Sequence, residues 1–285
     1  MRRLSIALLL VAVLAAGCAQ ATPAEPTAAQ PAASGQAASL SGSISLAGST
    51  TVQPLAEKLS EAFGTQYPQV KIDVQGGGSS VGVKSAGQGT VDVGMASREV
   101  KDSEMAEFAD LIVHRIAVDG VAIVANSGVA INGLTSEQVQ AIFAGEITSW
   151  SEVGGPDAPF TVVAREEGSG TRDFFQEHFM GADKAIVDTA ILQPSNGALR
   201  TTVGTTPNSI GFLSFGYLDG SVKALDIDGV AATEANIRNE TYSAWRYLNL
   251  LTRGEPSGLV KAWLDYIASP EGQDVVVSQG YLKLK

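Results

Sequence analysis

The chain alternates short apolar runs that suit β-strands with stretches whose apolar residues recur every three or four positions, as they do along helices. Residues 43 to 47 alternate apolar and polar side chains, which predicts a strand. Leu55, Leu59 and Phe63 then stand four apart, and this spacing predicts a helix over residues 53 to 63. Strands and helices that alternate in this way predict an α/β protein with parallel sheets.

The same alternation continues to the end of the chain. Strands are predicted at residues 71 to 74, 91 to 96, 160 to 165 and 209 to 215, and helices are predicted to begin near residues 79, 135, 255 and 270. Residues 111 to 125 form a nearly continuous apolar run, rich in β-branched side chains and broken by Asp119 and Gly120. This composition predicts an extended chain that passes through a core rather than a helix.

Two interior runs, near residues 115 to 124 and 205 to 215, would carry the chain between two lobes. This arrangement predicts a discontinuous first lobe, residues 42 to 117 and 213 to 285, and a continuous second lobe, residues 118 to 212. A cleft lies between the lobes of such a fold, and hinge closure is the motion expected of it.

Three polar stretches each follow a predicted strand and precede a predicted helix. Their sequences are GSTTVQP at residues 48 to 54, QGGGSSVGVK at residues 75 to 84 and REEGSGTRDFF at residues 165 to 175. A helix start presents backbone N–H groups without intrahelical partners and the positive end of the helix dipole, and both favour an anion. Each stretch alone would be read as an ordinary helix cap. Together, beyond the carboxyl ends of strands, the three predict one oxyanion site.

The overall charge limits how such a site can work. The formal net charge is −11 and the pI is about 4.6, so the protein repels anions at long range. Affinity must then come from local dipoles and one or two placed cations. This acidic surface excludes nucleic acid as a partner, and one cysteine with two histidines offers no cluster for a metal or cofactor.

The first 41 residues carry features of export and anchoring. Arg2 and Arg3 precede an apolar run and small residues, as in a signal peptide over residues 1 to 17. Cys18 is the only cysteine, and LAAGC resembles a bacterial lipobox. The resemblance implies acylation of Cys18, palmitate included, and anchoring at the extracytoplasmic face of a cell membrane; plain secretion is the alternative. Residues 18 to 41 lack aromatic side chains and predict a disordered tether.

Six phrases, in their order and spacing, resemble the phosphate-binding proteins of ABC transporters, the PstS family. They are AGSTTVQPLAE, GGGSSVGVKSAGQGTVDVGMASRE, the DG of AVDGVAIVAN, EQVQAIFAGEITSWSEVGG, REEGSGTRDFF and NSIGFLSFGYL. The resemblance implies a two-lobed periplasmic-binding-protein-like (type II) α/β fold with a hinge of two crossover strands. It also implies a monomer without a cofactor, which captures inorganic phosphate between the lobes and delivers it to permease subunits.

The resemblance further implies which side chains contact phosphate. Arg165 matches the family's phosphate-facing arginine, and Glu167 matches the acidic residue that pairs with it. Where other members have an aspartate that accepts the proton of hydrogen phosphate, this chain has Ser97 followed by Arg98. Asp119 is the candidate substitute acceptor, and Arg98 is a candidate second cation. The residues expected at the phosphate site are Ser49, Thr50, Thr51, Ser79, Ser80, Ser97, Arg98, Asp119, Arg165, Ser169, Gly170 and Thr171.

Two alternative functions remain open at this point. A receptor for sulfate, molybdate or tungstate is the nearer one, because a serine at position 97 excludes sulfate less well than an aspartate would. An enzyme with Ser169 as nucleophile is the alternative from another class. The stretch lacks a GxSxG elbow, and His178 lies about 13 Å further along the same predicted helix, at 1.5 Å per residue. The prediction is therefore a binding protein and not an enzyme.

Overall fold

The computed structural model describes residues 40 to 284, and over this range eleven strands and nine α-helices alternate. The strands are β1 (Gly42–Gly48), β2 (Val70–Gln75), β3 (Val93–Ala96), β4 (Leu111–Asn126), β5 (Gly133–Leu134), β6 (Thr161–Arg165), β7 (Ile191–Gln193), β8 (Ser209–Ser214), β9 (Val222–Ala224), β10 (Asp226–Ile227) and β11 (Trp245–Arg253). The helices are α1 (Gln53–Gln66), α2 (Ser79–Gln88), α3 (Asp102–Glu107), α4 (Ser136–Phe143), α5 (Gly170–Phe175), α6 (Asn196–Thr205), α7 (Glu234–Arg238), α8 (Gly258–Ala268) and α9 (Pro270–Ser278). A π-helical turn, Gln176–Met180, extends α5. The predicted signal peptide, Cys18 and all but the last two residues of the predicted tether lie outside the described residues.

Local sequence explains where several helices begin. The Thr135 hydroxyl accepts from the backbone N–H of Gln138 (3.2 Å), and the Gln138 side chain accepts from the backbone N–H of Thr135 (2.9 Å), so the two residues cap α4. Pro54 and Pro270 lie in the first turns of α1 and α9, where the missing backbone donor costs nothing. The helices and strands predicted from the sequence are confirmed to within a few residues at their ends.

Nine of the described strands form one mixed sheet in the order β2-β1-β3-β11-β4-β8-β6-β7, with β9 beside β4. β1 pairs in parallel with β2 and β3, and β6 pairs in parallel with β7 and β8. β11 runs antiparallel to β3 and β4, and β4 runs antiparallel to β8 and β9. The expected parallel pairing is therefore found at both ends of the sheet, whereas the middle is antiparallel because β11 runs along β4 in the opposite direction.

β4 is a sixteen-residue strand that both halves of the sheet share. Residues 111 to 120 pair with β11, and residues 121 to 125 pair with β8. The crossover predicted near residues 115 to 124 therefore lies in β4. The second crossover, predicted near residues 205 to 215, stays a prediction: that segment contains β8, which lies between β6 and β4, and β11 pairs with the first half of β4.

The two largest clusters of buried apolar side chains divide the chain in the middle of β4. The first core cluster draws on residues 44 to 117 and 248 to 281. The second core cluster draws on residues 118 to 244 together with Leu282. Residues 213 to 244 thus pack with the part of the chain predicted as the second lobe, although the sequence assigned them to the first. The lobe boundaries themselves stay a prediction.

Candidate functional site

The three polar stretches of the sequence meet around one small cavity. β1, β2 and β3 are parallel neighbours, so the residues that follow them lie along the same edge of the sheet. Arg165, the last residue of β6, and residues that follow it complete the lining, and the cavity is small and partly open to solvent. The described lining residues are Ser49, Thr50, Thr51, Gly78, Ser79, Ser97, Arg165, Ser169, Gly170 and Thr171. All of these except Gly78 are residues that the sequence predicts at the site.

Hydrogen bonds to both the N–H groups and the carbonyl groups of its backbone hold the first stretch in place. Ser49 Oγ accepts from the backbone N–H of Thr51 (3.1 Å), so this hydroxyl caps the chain before α1. The Tyr217 hydroxyl donates to the carbonyl of Thr50 (2.6 Å), and the Tyr281 hydroxyl donates to the carbonyl of Thr51 (2.8 Å). The backbone carbonyls are thereby satisfied, and the threonine side chains are left at the cavity wall.

The second stretch and the residue after β3 contribute two serine hydroxyls. Ser79 Oγ accepts from the backbone N–H of Ser97 (3.0 Å) and lies 3.4 Å from Ser97 Oγ. Gly78 has a φ of +92°, and a Cβ there would lie 2.7 Å from the carbonyl oxygen of Gly168. Glycine therefore allows the start of α2 to approach the third stretch, where the backbone N–H of Ser80 donates to the same carbonyl (3.1 Å).

The third stretch supplies the start of α5. Ser169 caps this helix by accepting from the backbone N–H of Arg172 (3.3 Å). Gly170 and Thr171 line the cavity in the first turn, where backbone N–H groups have no intrahelical partner. Thr171 Oγ1 lies 3.0 Å from Thr51 Oγ1 of the first stretch. The stretches are therefore joined directly by side-chain contact.

Arg165 provides the charge in the cavity lining. The side chain is 2% exposed; its Nε donates to the carbonyl of Gln193 (3.1 Å), and its Nη2 donates to the carbonyl of Pro194 (2.9 Å) and to Thr50 Oγ1 (3.1 Å). Its Nη1 is buried and has no hydrogen-bond partner. Burial, and then the neighbouring charge of Arg246, lower the pKa of Arg165 to about 10, so the guanidinium stays protonated at neutral pH.

The predicted pairing of Arg165 with Glu167 is absent from the structure. Glu167 is exposed, and among the described residues the ion pairs include none between it and Arg165. Carbonyl oxygens hold the guanidinium in its place, because the backbone at the end of β7 lies directly beside it. Glu167 follows Arg165 closely in sequence but points to solvent.

Arg98 and Ser80 do not line the cavity, contrary to prediction. Arg98 Nη1 and Nη2 each donate to a carboxylate oxygen of Glu104 at 2.7 Å, and Nη2 lies 3.2 Å from Ser80 Oγ. Arg98 Nε also pairs with Asp173 Oδ2 at 2.8 Å. The guanidinium is therefore occupied by carboxylates beside the cavity and is not a second free cation for an anion.

Asp119 is also not among the described residues that line the cavity, and its role as a proton acceptor stays a prediction. The carboxylate is fully buried; Oδ2 accepts from Arg246 Nη2 (2.9 Å) and Nε (3.1 Å), and Oδ1 accepts from the Ser214 hydroxyl (2.8 Å). Burial raises the pKa of Asp119 and lowers the pKa of Arg246, and the contact between the two opposes both shifts. Both carboxylate oxygens are thus engaged behind the cavity.

Two buried polar residues behind the lining, Arg246 and Asn196, were not predicted from the sequence. Arg246 Nη2 donates to Thr171 Oγ1 (3.0 Å), and Asn196 Nδ2 donates to Thr51 Oγ1 (2.8 Å). One signal pointed to Arg246: a carboxylate at position 119 inside an apolar run needs a buried cation. Within residues 40 to 284, no group of three or more His, Cys, Asp and Glu side chains is placed to hold a metal ion.

Known proteins resemble this chain over most of its length. The family model described as the PBP superfamily domain matches residues 26 to 271. The chain is 35% identical over 245 residues to the phosphate-binding protein PstS of Bacillus subtilis, covering 85% of this chain and 81% of that protein. A crystal structure of a putative phosphate ABC transporter substrate-binding protein from Clostridium perfringens, with bound phosphate, has 39% identity and a TM-score of 0.83, with 86% of this chain and 100% of that chain covered.

A second solved structure supports the same assignment. The ABC-type phosphate transport receptor from Vibrio cholerae has 33% identity and a TM-score of 0.71, with 85% of this chain and 100% of that chain covered. These likenesses confirm the expected periplasmic-binding-protein-like α/β fold. The chain therefore belongs to the PBP superfamily and, within it, to the PstS family of phosphate-binding proteins.

Proposed function

We propose that this protein captures inorganic phosphate in the cavity and delivers it to the permease of an ABC transporter. The observation that carries the proposal is the Arg165 guanidinium, which is buried in the lining with Nη1 left without a hydrogen-bond partner. A buried charged donor of this kind is costly until a partner reaches it. The relatives named PstS, and the Clostridium perfringens structure that holds phosphate, support the identity of that partner.

The other groups of the lining suit the same anion. Hydroxyls of the three stretches and the backbone N–H groups at the start of α5 are neutral donors, and Nη1 of Arg165 adds a charged donor that has no protein partner. Short-range donors of this kind give affinity in a protein whose net charge repels anions. One cation among neutral donors also lets the anion leave, as delivery to a permease requires.

Purification without added ligand tests the proposal. We expect an equimolar amount of phosphate to be released on denaturation, measured by ion chromatography, and a single binding site when the stripped protein is titrated with phosphate by calorimetry. Arg165→Ala, prepared in the same way, is the matched control and should retain none. Stripped protein that gives no heat with phosphate would contradict the proposal.

One observation favours a second candidate, a receptor for sulfate, molybdate or tungstate. No carboxylate is among the described lining residues, so the proton of hydrogen phosphate can meet only hydroxyl or carbonyl oxygens there. Ser79 and Ser97, with hydroxyls 3.4 Å apart, are the remaining candidate acceptors. Competition of each oxyanion against bound phosphate separates the candidates, and tighter binding of any of them would replace phosphate as the ligand.

We propose binding without turnover. Ser169 Oγ accepts from a backbone N–H, and no histidine is among the described lining residues. His114 Nε2 lies 2.8 Å from Thr252 Oγ1, and His178 Nε2 lies 3.2 Å from Ser243 Oγ, so each imidazole is engaged elsewhere. A serine nucleophile needs a base within hydrogen-bond reach. Release of product from a chromogenic phosphoester by purified protein would contradict this part of the proposal.

For location, we propose attachment of the protein to the extracytoplasmic face of the membrane through acylated Cys18. The support is sequence alone, because Cys18 lies outside the described residues: a signal-like segment ends at the only cysteine, in a lipobox-like LAAGC. Between residues 40 and 284, the helices are all too short or too polar to cross a bilayer.

Replacement of the cysteine tests the anchor. Cys18→Ala should move the protein from the membrane fraction to the soluble fraction and abolish incorporation of labelled palmitate. Ser34→Ala, in the same predicted tether, is the matched control and should stay in the membrane fraction. An unchanged distribution of Cys18→Ala would argue for plain secretion or another mode of attachment.

A further inference from the structure

Buried donors surround the two threonine hydroxyls of the cavity. Thr51 Oγ1 and Thr171 Oγ1 lie 3.0 Å apart. Asn196 Nδ2 donates to Thr51 Oγ1 at 2.8 Å, and Arg246 Nη2 donates to the same oxygen at 3.4 Å. Arg246 Nη2 also donates to Thr171 Oγ1 at 3.0 Å. Neither Asn196 nor Arg246 lines the cavity, so both act on the threonines from behind.

The number of donors fixes the direction of the hydroxyl hydrogens. A hydroxyl can accept two hydrogen bonds and donate one. One hydrogen of Arg246 Nη2 is held by Asp119, and the other is shared between Thr171 Oγ1 (3.0 Å) and Thr51 Oγ1 (3.4 Å). Asn196 and this shared hydrogen occupy both acceptor positions of Thr51 Oγ1, so the hydrogen of Thr51 is directed to Thr171. Thr171 Oγ1 then accepts from Thr51 and from Arg246. The hydrogen of Thr171 is left to point into the cavity.

The donors themselves cannot reverse their roles. Asn196 Oδ1 accepts from the backbone N–H of Ser214 (3.3 Å), which leaves the amide nitrogen facing Thr51. A guanidinium has no acceptor atom at all. Arg246 is fixed in addition by its contacts with Asp119 (2.9 and 3.1 Å) and by donation from Nη1 to the carbonyl of Gly170 (3.2 Å).

We infer that Arg246 and Asn196 are positioning residues of the anion site, which hold Thr51 and Thr171 as a one-way series of donors ending at the bound anion. The inference rests on the proposed function, since it names the residues that prepare that same site. Asp119 supplies the counter-charge of Arg246 behind the lining. Arg246 therefore orients the hydroxyl hydrogens of the two threonines, while Arg165 supplies the positive charge that contacts the anion.

A double-mutant cycle on phosphate affinity tests the inference. Arg246→Lys keeps the positive charge beside Asp119 but removes the fork of donors, and Thr171→Val removes the hydroxyl at the end of the series with little change of shape. We expect Arg246→Lys to weaken phosphate binding about tenfold in the wild-type background and less than about threefold in the Thr171→Val background. The exposed Arg253→Lys, whose partner is Asp110, is the matched control and should leave affinity unchanged.

A purely structural role predicts a different pattern. If Arg246 only supports the fold, Arg246→Lys lowers affinity by the same factor in both backgrounds, and this result, or no loss at all, overturns the inference. Circular dichroism and thermal unfolding report whether each variant folds. If Arg246→Lys does not fold, Asn196→Leu, which removes the donor to Thr51 together with the acceptor of the Ser214 N–H, takes its place in the same cycle. Wild-type protein that binds no phosphate would instead overturn the proposed function.

Discussion

At the scale of single residues, the site depends on one arginine surrounded by neutral oxygen atoms. The Nε and Nη2 of Arg165 donate to the carbonyl oxygens of Gln193 and Pro194. These contacts fix the side chain without neutralising its charge, because carbonyl groups carry no net charge. Glu167, the expected counter-charge, stays exposed. A bound anion therefore supplies the negative charge beside Arg165 that Glu167 does not provide.

Arg165→Ala is therefore expected to remove useful phosphate binding. The bound dianion would lose its charge-assisted hydrogen bonds, a loss on the order of 3 kcal/mol, which is more than a hundredfold in affinity. Calorimetry measures the loss. Arg253→Ala, an exposed arginine of the same charge, is the control and should bind as the wild type does. Equal affinities for both variants would remove Arg165 from the site.

Asp119→Asn should act mainly on stability. The substitution leaves the buried guanidinium of Arg246 without its carboxylate, and breaking a buried ion pair on one side costs about 3 to 5 kcal/mol of unfolding free energy. Urea unfolding measures this cost. Because Asp119 does not line the cavity, the ratio of phosphate to sulfate affinity should not change. A changed ratio with unchanged stability would return Asp119 to the site as a proton acceptor.

At the scale of elements, local patterns made much of the fold predictable. The apolar stripe of α1 is buried as its spacing requires, and the hydroxyl-rich stretches do stand at or just before helix starts. β11 could not be read in the same way, because its nine residues mix polar and apolar side chains and its place depends on pairing with β3 and β4. The contact of Arg246 with Asp119 spans 127 positions, so no local motif contains it.

Sequence neighbours of true lining residues were the main source of error at the site. Ser80 follows Ser79 and Arg98 follows Ser97, yet successive side chains point in different directions along a helix or an extended chain. Only one member of each pair lines the cavity. Which member does so depends on the approach of α2 to α5, a tertiary feature.

Gly170→Ala is expected to prevent that approach. A Cβ at position 170 would overlap the Ser79 hydroxyl and lie 2.8 Å from Ser97 Oγ, so the start of α5 could no longer meet the start of α2. Phosphate affinity should fall at least about tenfold, since charge-assisted and neutral hydrogen bonds on both sides cannot then form together. Calorimetry and thermal unfolding of ligand-free protein measure the two effects.

The control for this substitution is a glycine with free space around it. A Cβ at Gly64, within α1, would meet no atom within 4 Å. Gly64→Ala should keep full phosphate affinity and stabilise the protein by roughly 0.5 to 1 kcal/mol, as alanine does in a helix interior. Undiminished binding by Gly170→Ala would show that the two helix starts need not be this close.

At the scale of the whole molecule, several contacts join segments that belong to the two core clusters. Arg98 pairs with Asp173 at 2.8 Å, and Thr51 lies 3.0 Å from Thr171, with one partner of each pair preceding the middle of β4 and the other following it. An anion held by both sides adds to these contacts. Binding should therefore favour the closed arrangement.

Small-angle scattering with and without phosphate checks this expectation. We expect a smaller radius of gyration in phosphate, and a rise of unfolding free energy of about 2.7 kcal/mol when free phosphate is a hundred times its Kd. At the same phosphate concentration, Gly170→Ala, if its Kd is tenfold weaker, should show a rise of only about 1.4 kcal/mol. Stoichiometric binding by the wild type with no compaction would indicate a site that does not depend on closure.

The shared strand β4 has a consequence for how the protein unfolds. Its residues 116 and 117 belong to the first core cluster, and Val118, Val121, Ile123 and Ala125 belong to the second, so one hydrogen-bonded strand runs through both. Melting of either core would remove a neighbour that this strand needs in order to remain paired. The unfolding of one core cluster should therefore be coupled to that of the other. On heating or in denaturant, residues 40 to 284 should unfold in a single cooperative transition.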